Sequence, residues 1–198
     1  MDGQATQNQG SSDAQGQVLW CDPACDPGVN CPGVTFVTSA IRCLDQAVDG
    51  HPQLIVIHFG HVTIDKRGLL VELAEALKSN SHTSSCPVLA LLSSRHRSLL
   101  ESLEIAGVDS ARYTEDESEG RRTPLEISHG LGADDRLSHR LEAVCPYLRY
   151  REIDADRELI VCGAYLDRMV LGGHRLRKIC ETKDHCDCQY YLNPRVKA

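Results

Sequence analysis

Two runs of apolar residues constrain the fold of this chain more than any other feature. Residues 54–59 read LIVIHF and residues 87–92 read PVLALL, and neither run alternates polar with apolar side chains. Strands of this kind are covered on both faces, which is typical of a parallel sheet in an α/β protein. Each run therefore predicts a strand near the centre of such a sheet.

Helical and strand-like segments alternate around these two runs. Shorter strand-like segments occupy residues 17–22, 34–40 and 108–113. Apolar side chains recur at helical spacing in residues 41–50, 65–80 and 95–107. Gly107 is expected to end the last of these helices. Strands that alternate with helices predict right-handed crossovers and a doubly wound, five-stranded parallel sheet.

Composition divides the chain into four segments. Residues 1–16 are polar and are predicted to form a disordered tail, and residues 17–113 hold the predicted sheet. Residues 114–135 are charged and lack periodicity, which is typical of a linker. Residues 136–198 combine a short amphipathic helix, a hairpin-like stretch and five of the ten cysteines. This last segment is predicted to form a small cysteine-rich α+β module.

Charge and hydropathy argue against several classes of function. The formal net charge is −7, which argues against binding to nucleic acid or to an anionic membrane surface. No apolar stretch approaches the ~20 residues that cross a bilayer, and the polar N-terminus lacks a signal-peptide pattern, so we expect a cytoplasmic protein. In a reducing compartment, cysteines favour metal binding or redox chemistry over disulfides. No phosphate-binding loop or nucleophile elbow occurs, and we expect no enzymatic activity.

Four stretches of the sheet-forming segment occur in a characteristic order. They read HPQLIVIHFG, IDKRGLLVELAEAL, CPVLALLSS and EIAGVDSARY. Their order and spacing, including Gly68 and the pair Ala106-Gly107, resemble the receiver domain of bacterial response regulators. The resemblance covers residues 34–113 and implies the flavodoxin-like fold of that family.

Several positions that receivers use for phosphoryl transfer are changed in this chain. The resemblance places His58 where the family carries its phosphate-accepting aspartate, and Leu92, followed by Ser93, at the hydroxyl-bearing switch position. Thr114 stands where the family has a lysine, and the cysteine-rich loop 23–33 replaces the first helix. The resemblance therefore implies a pseudo-receiver that acts independently of phosphorylation.

The sequence contains two candidate sites, and the one that we call the second candidate site lies at the carboxyl ends of the first and third strands. These ends are neighbours in this topology, so Cys21, Asp22 and His58 are expected to converge. Cys25 and Cys31 follow in the loop, and imidazole with thiolates is a ligand set for Zn²⁺ or a redox metal. The spacing Cys-x3-Cys-x5-Cys matches no common ligand pattern. A hydrogen-bonded histidine at a vestigial site is therefore the preferred interpretation of His58.

The cysteines of the C-terminal segment form a sharper pattern. Four of them occur as Cys145-Pro146-Tyr147, Cys162-Gly163-Ala164, Cys180 and Cys188-Gln189-Tyr190. This arrangement resembles a small four-cysteine module found at the ends of uncharacterised bacterial proteins, often beside signalling domains. The resemblance names no ligand for the module. Cys186 is a reserve candidate.

Four thiolates suit two kinds of metal centre, a tetrahedral Zn²⁺ site and a [4Fe–4S] cluster with one cysteine per iron. The gaps between the four cysteines are sixteen, seventeen and seven residues, so they lack the Cys-x2–4-Cys knuckle of structural zinc sites. Ligands of a cluster surround a larger object, and Cys145-Pro146 is typical of cluster-binding segments. The cluster is preferred and Zn²⁺ remains the alternative. His174 and His185 are reserve ligands, and a core of reduced cysteines is the remaining interpretation.

Together these features predict a non-enzymatic signalling or accessory protein. Its pseudo-receiver would bind a protein partner through the face made by residues 95–107 and 108–113, which receivers commonly use. The C-terminal centre would make this binding depend on redox state or metal. Alternatives are a structural or electron-relay subunit of a larger redox enzyme complex, and a zinc-stabilised adaptor. A homodimer is compatible with each.

Overall fold

The computed structural model describes residues 18–25, 31–60, 62–114, 126 and 131–195. The predicted N-terminal tail and most of the predicted linker lie outside these residues. The first sheet contains β1 (Val18–Cys21), β2 (Val34–Val37), β3 (Leu54–Phe59), β4 (Val88–Leu92) and β5 (Ser110–Tyr113). Its strand order is β2-β1-β3-β4-β5, and every neighbouring pair is parallel. The predicted five-stranded parallel sheet is therefore confirmed, with the strand order of flavodoxin-like proteins.

Local capping chemistry sets the ends of the helices that connect these strands. The helices are α1 (Ala40–Gly50), α2 (Ile64–Ser79) and α3 (Arg97–Ile105). The side chains of Ser39, Thr63 and His96 each accept a backbone N–H of the first helical turn. Gly107 has a φ of 80° and follows α3, where the Val108 N–H donates to the Leu103 carbonyl at 3.0 Å. The predicted glycine end of this helix is confirmed.

The helices that the structure describes pack on one face of the sheet. Buried side chains of α1, α2 and α3 share a single cluster with one set of alternating strand residues, such as Leu19 and Ile55. The opposite set, such as Trp20 and Val56, packs with Val34, Phe36 and Leu131 instead. The prediction of a doubly wound sheet is thus not met by the described helices. The connection after β1 is rich in proline and glycine, and its described residues form turns rather than a helix.

The C-terminal segment forms a second, antiparallel sheet with short helices around it. Its strands are β6 (Leu148–Asp154), β7 (Arg157–Cys162) and β8 (Met169–Val170), in that order. Its helices are α4 (Leu137–Glu142), the turn α5 (Gly173–Arg175), a π-helical continuation (Leu176–Cys180) and α6 (Gln189–Leu192). Two 3₁₀ segments occupy Ala133–Asp135 and Lys183–Asp187. The predicted hairpin is confirmed, and a third short strand extends it.

The C-terminal segment covers α3 and the edge of β5. Both α4 and β6 contact α3, and Arg136 pairs with Ser110 at the open edge of β5. Buried residues of the C-terminal segment, such as Leu148 and Cys180, belong to the same cluster as the core of the first sheet. The face that was expected to receive a partner is therefore occupied, at least in part, by this chain itself. Among the described residues, no helix has the length and apolar character needed to cross a bilayer.

Asp135 joins the second part of the chain to the first sheet through two arginines. Its carboxylate accepts hydrogen bonds from Arg112 on β5, from Arg140 on α4 at 2.8 Å, and from the Gly132 backbone N–H at 3.1 Å. Burial of this carboxyl opposes its ionisation, but these three donors hold the pKa of Asp135 at about 2. A buried carboxylate with a lowered pKa stabilises the folded chain at neutral pH.

We expect the Asp135→Asn variant to lose about 2 kcal/mol of unfolding free energy at pH 7. The unfolded carboxyl keeps an ordinary pKa, so the contribution of Asp135 is complete above about pH 4 and is lost as the pH falls towards 2. Urea unfolding of the wild type and of Asp135→Asn at pH 7 and at pH 3 measures this loss and its pH dependence. The difference in unfolding free energy between the two proteins should be smaller at pH 3. The exposed neighbour Asp134 provides the control, because Asp134→Asn should change neither value. Equal losses of unfolding free energy in Asp135→Asn and Asp134→Asn would contradict the stabilising role assigned to Asp135.

Candidate metal centre

The four C-terminal cysteines line one cavity, although they are far apart in the sequence. Cys145 lies between α4 and β6, and Cys162 ends β7. Cys180 ends the π-helical segment, and Cys188 directly precedes α6. The enclosed volume of this cavity is about 10 Å³, room for about one water molecule, and all four cysteines are among the residues around it. The first three are buried, and Cys188 is partly exposed.

Backbone hydrogen bonds bring the segments that carry these cysteines together. The Cys145 N–H donates to the Cys180 carbonyl at 2.8 Å, which joins the start of the hairpin to the end of the π-helical segment. In the hairpin, Cys162 lies opposite Leu148, and the Gly163 N–H donates to the Tyr147 carbonyl at 2.7 Å. A Cβ atom on Gly163 would lie 3.0 Å from that carbonyl oxygen. The close approach therefore favours glycine directly after Cys162.

The four thiols differ in their electrostatic surroundings. Burial raises the pKa of Cys145 and of Cys162, and it raises the pKa of Cys180 to about 12. Burial also opposes ionisation of Cys188, but backbone N–H groups of Tyr190 and Tyr191 and the side chain of Arg175 lower its pKa overall. Thiolate is the form that binds metal, so an ion or cluster bound here would displace protons from the buried thiols.

The reserve candidates occupy different places around the cavity. His185 is buried and lines the cavity, with its Nδ1–H donating to the Thr182 carbonyl at 2.6 Å. Its Nε2 atom lies 3.7 Å from the Cys186 sulfur, but Cys186 itself is exposed and is not among the lining residues. His174 is also exposed and lies outside the lining. Of the three, only His185 is therefore placed beside the four cysteines.

Sequence reasoning missed several side chains of this cavity. Arg175 lines it, although the run HRLRK that contains this residue is more typical of a solvated helix face. Tyr147 and Tyr190 belong to the four-cysteine pattern, but Tyr191, which also lines the cavity, was not singled out. In the described part of the chain, no group of three or more His, Cys, Asp or Glu side chains is arranged to hold a metal ion as it stands. The four cysteines share a cavity without yet being in coordinating positions.

The second candidate site is reduced to a pair of side chains at the carboxyl edge of the first sheet. The Nδ1–H of His58 donates to Asp22 Oδ2 at 2.8 Å, and Asp22 Oδ1 accepts the Ala24 N–H at 2.8 Å. Burial opposes ionisation of Asp22, yet these hydrogen bonds lower its pKa overall. Gly60 lies against the imidazole, and a Cβ atom there would come within 2.8 Å of His58 Cε1. The expected convergence of Asp22 and His58 is therefore present.

The cysteines of this second candidate site do not gather around His58. Cys21 is the last residue of β1 and points to the face covered by the helices, where it is fully buried in the same cluster as Cys43. Cys31 pairs with Val34 at the start of β2, which is the amino edge of the sheet. Only Cys25 stays close, because its N–H donates to the Asp22 carbonyl at 3.1 Å. Cys25 and Cys31 therefore lie at opposite edges of the sheet.

Residues 95–97, at the start of α3, connect the first sheet to the cavity, and we call them the clamp. Arg95 donates to the carbonyl of Glu181, next to Cys180, at 2.7 Å. Arg97 donates to the carbonyl of Val144, next to Cys145, and its backbone N–H donates to the Tyr150 hydroxyl at 2.9 Å. Two of the four candidate ligands thus adjoin residues that the clamp holds directly.

His96, at the centre of the clamp, is held in one neutral tautomer. Its Nδ1 atom accepts the Leu99 N–H at 3.2 Å, so the ring proton of the neutral imidazole is on Nε2 and is donated to Glu158 at 3.0 Å. Arg67 donates to the same carboxylate oxygen at 2.9 Å. The imidazole also stacks on Tyr150, with the ring centroids 3.6 Å apart. Burial lowers the pKa of His96. The negative charge of Glu158 raises this pKa and the positive charge of Arg67 lowers it, and the overall shift is downward.

We expect the unfolding free energy of the wild-type protein to fall between pH 7 and pH 5, in part because of His96. The unfolded histidine has an ordinary pKa near ~6.5 and binds a proton first as the pH falls, at a cost of up to about 1.4 kcal/mol per pH unit. The variant His96→Asn keeps a capping side chain for α3 and should show a shallower pH dependence in urea unfolding. His139→Asn, at an exposed position, is the matched control and should keep the wild-type slope. Identical slopes for all three proteins would contradict this prediction.

No protein-family model matches the sequence, and no curated protein matches it at a significant level. The parallel sheet of order β2-β1-β3-β4-β5 is the structural feature that it shares with flavodoxin-like folds. A shared fold does not specify a function, so the site geometry must carry the functional argument.

Proposed function

We propose that Cys145, Cys162, Cys180 and Cys188 bind a metal centre, with a [4Fe–4S] cluster favoured over Zn²⁺. The observation that supports this proposal is that four cysteines from four separate segments line a single cavity. Cysteine is a small apolar residue that is often buried singly. Here four cysteines line one cavity, and Arg175 lies beside Cys188, the most exposed of them. A shared ligand explains this arrangement better than independent burial of each cysteine does.

The origin of the ligands favours a cluster over a single zinc ion. Structural zinc sites usually take two ligands from one tight turn, whereas here each cysteine comes from a different element. A [4Fe–4S] cluster takes one thiolate per iron and needs ligands that surround it. The rest of the lining is largely apolar or aromatic, including Ala164, Met169 and Leu171. Such a shell limits solvent access and thereby influences the potential of a bound centre.

The protein as a whole is proposed to be a non-enzymatic signalling or accessory protein with a protein partner. His58 is engaged by Asp22 at the position where receivers keep their phosphate acceptor, which supports independence from aspartyl phosphorylation. The clamp joins the cavity to the start of α3, so a change at the cysteines reaches the first sheet through short contacts. The C-terminal segment already covers α3 and the edge of β5. We therefore propose that the segment around the centre forms part of the partner surface.

One observation favours a second role, that of an electron-relay subunit in a larger redox complex. Cys188 is the only partly exposed member of the four, which would place one side of a cluster close to the protein surface. Electron relay and redox-dependent docking use the same centre and differ in the partner. A partner retained at fixed stoichiometry in both redox states would support the relay, and a partner released in one state would support the sensor.

We expect protein purified without oxygen to contain about four iron and four sulfide per chain and to absorb near ~400 nm. Cys188→Ser should lose most of the iron and of this absorbance, because it removes one of the four ligands. Cys186→Ser is a matched control two residues away, and it should retain both because the Cys186 side chain is exposed. Iron and sulfide analysis with absorption spectra provides the measurements.

The same experiment distinguishes the alternatives. One zinc per chain and no colour would favour the zinc-stabilised adaptor. Equal iron loss in Cys186→Ser and Cys188→Ser would contradict the ligand assignment. Protein that binds neither iron nor zinc would overturn the proposal of a metal centre.

A further inference from the structure

Arg175 is the one arginine or lysine among the described residues that line the cavity. Its Nη2 atom donates to the sulfur of Cys188 at 3.9 Å. Its guanidinium lies over the ring of Tyr190, 5.2 Å from the ring centroid. A permanent positive charge is therefore placed directly beside the most exposed of the four cysteines.

Aromatic contacts hold this charge in place. The ring of Tyr190 packs against Tyr165 with 5.0 Å between centroids, and the Tyr165 N–H donates to the Cys162 carbonyl at 3.2 Å. The surface under Arg175 is thus tied to the backbone at a second cysteine of the set. A guanidinium stacked on a ring loses fewer orientations when it donates a hydrogen bond than a free side chain does.

The contact between Arg175 and Cys188 would affect the reduction of a bound cluster, because the cluster is negatively charged. A [4Fe–4S] cluster with four thiolate ligands is a dianion when oxidised and a trianion when reduced, so a nearby cation stabilises the reduced form more strongly. Hydrogen bonds to a ligand sulfur act in the same direction, because they draw charge away from the iron. Neighbouring tyrosine rings and apolar side chains reduce the screening of this charge by water.

We propose that Arg175 raises the reduction potential of the centre through its contact with Cys188, and this inference rests on the proposed cluster. The step concerned is a one-electron reduction in which a low-potential donor transfers an electron to the cluster. No covalent bond is formed or broken and no proton is transferred. Arg175 is a positioning residue, because it acts through the cysteine ligand rather than on the iron.

The test is a redox titration of anaerobically loaded protein, followed by absorbance and by the electron-spin signal of the reduced cluster. Arg175→Gln should lower the equilibrium constant for reduction about tenfold, which is about 59 mV for a one-electron couple. Arg175→Lys keeps the charge but loses the stacked fork, and its potential should lie between those of Arg175→Gln and the wild type. Arg177→Gln is the matched control: it makes the same change of charge at an exposed position two residues away and should keep the wild-type potential.

The outcomes separate this inference from the proposed function. A wild-type protein that binds only zinc or no metal overturns both. A wild-type protein with a cluster, whose potential is the same in Arg175→Gln or shifts equally in Arg177→Gln, overturns the role of Arg175 alone. If Arg175→Gln assembles no cluster, Arg175→Lys decides: a lowered potential supports the role and an unchanged one overturns it.

Discussion

The burial of β3 and β4 is the constraint on which the remaining structure depends. Residues 55–57 of β3 are fully buried, and every residue of β4 is almost fully buried. Apolar area removed from water contributes about 25 cal/mol per Å², so these two strands are a major source of stability for the sheet. Because all five strands run in the same direction, the segments that follow them emerge at one edge. His58 and the clamp both lie at that edge, for the same reason.

The clamp converts this edge into a support for the cysteine cavity. Arg95 and Arg97 donate to carbonyls next to Cys180 and Cys145, while His96 between them stacks on Tyr150 of β6. Three consecutive residues thus connect the loop after β4 to the hairpin and to the π-helical segment. The same edge carries His58, which is paired with Asp22, beside the support for the candidate cysteine centre.

The cysteine pattern illustrates how far sequence reasoning reaches for a site. Four cysteines separated by wide gaps, each at the end of an element, were expected to come together, and the structure brings all four to one cavity. Arg175 and Tyr191 were not predicted, because their neighbours in the sequence do not show which way their side chains face. At the other candidate site the reverse occurred. Cys21 and Cys31 are close to Asp22 in sequence, but Cys21 points to the other face of the sheet and Cys31 lies at the opposite edge from His58.

The sequence by itself determined the parallel sheet, the approximate limits of its strands and helices, and the set of cysteines at the C-terminal cavity. These follow from local signals: continuous apolar runs, helical spacing, capping residues and the placement of cysteines at element ends. Only the tertiary structure decided that the described helices pack on one face, and that the C-terminal segment covers α3 and the edge of β5. It alone placed Arg175 beside Cys188. These features depend on contacts between residues far apart in the chain, whose energies come from shape and charge complementarity that no local pattern encodes.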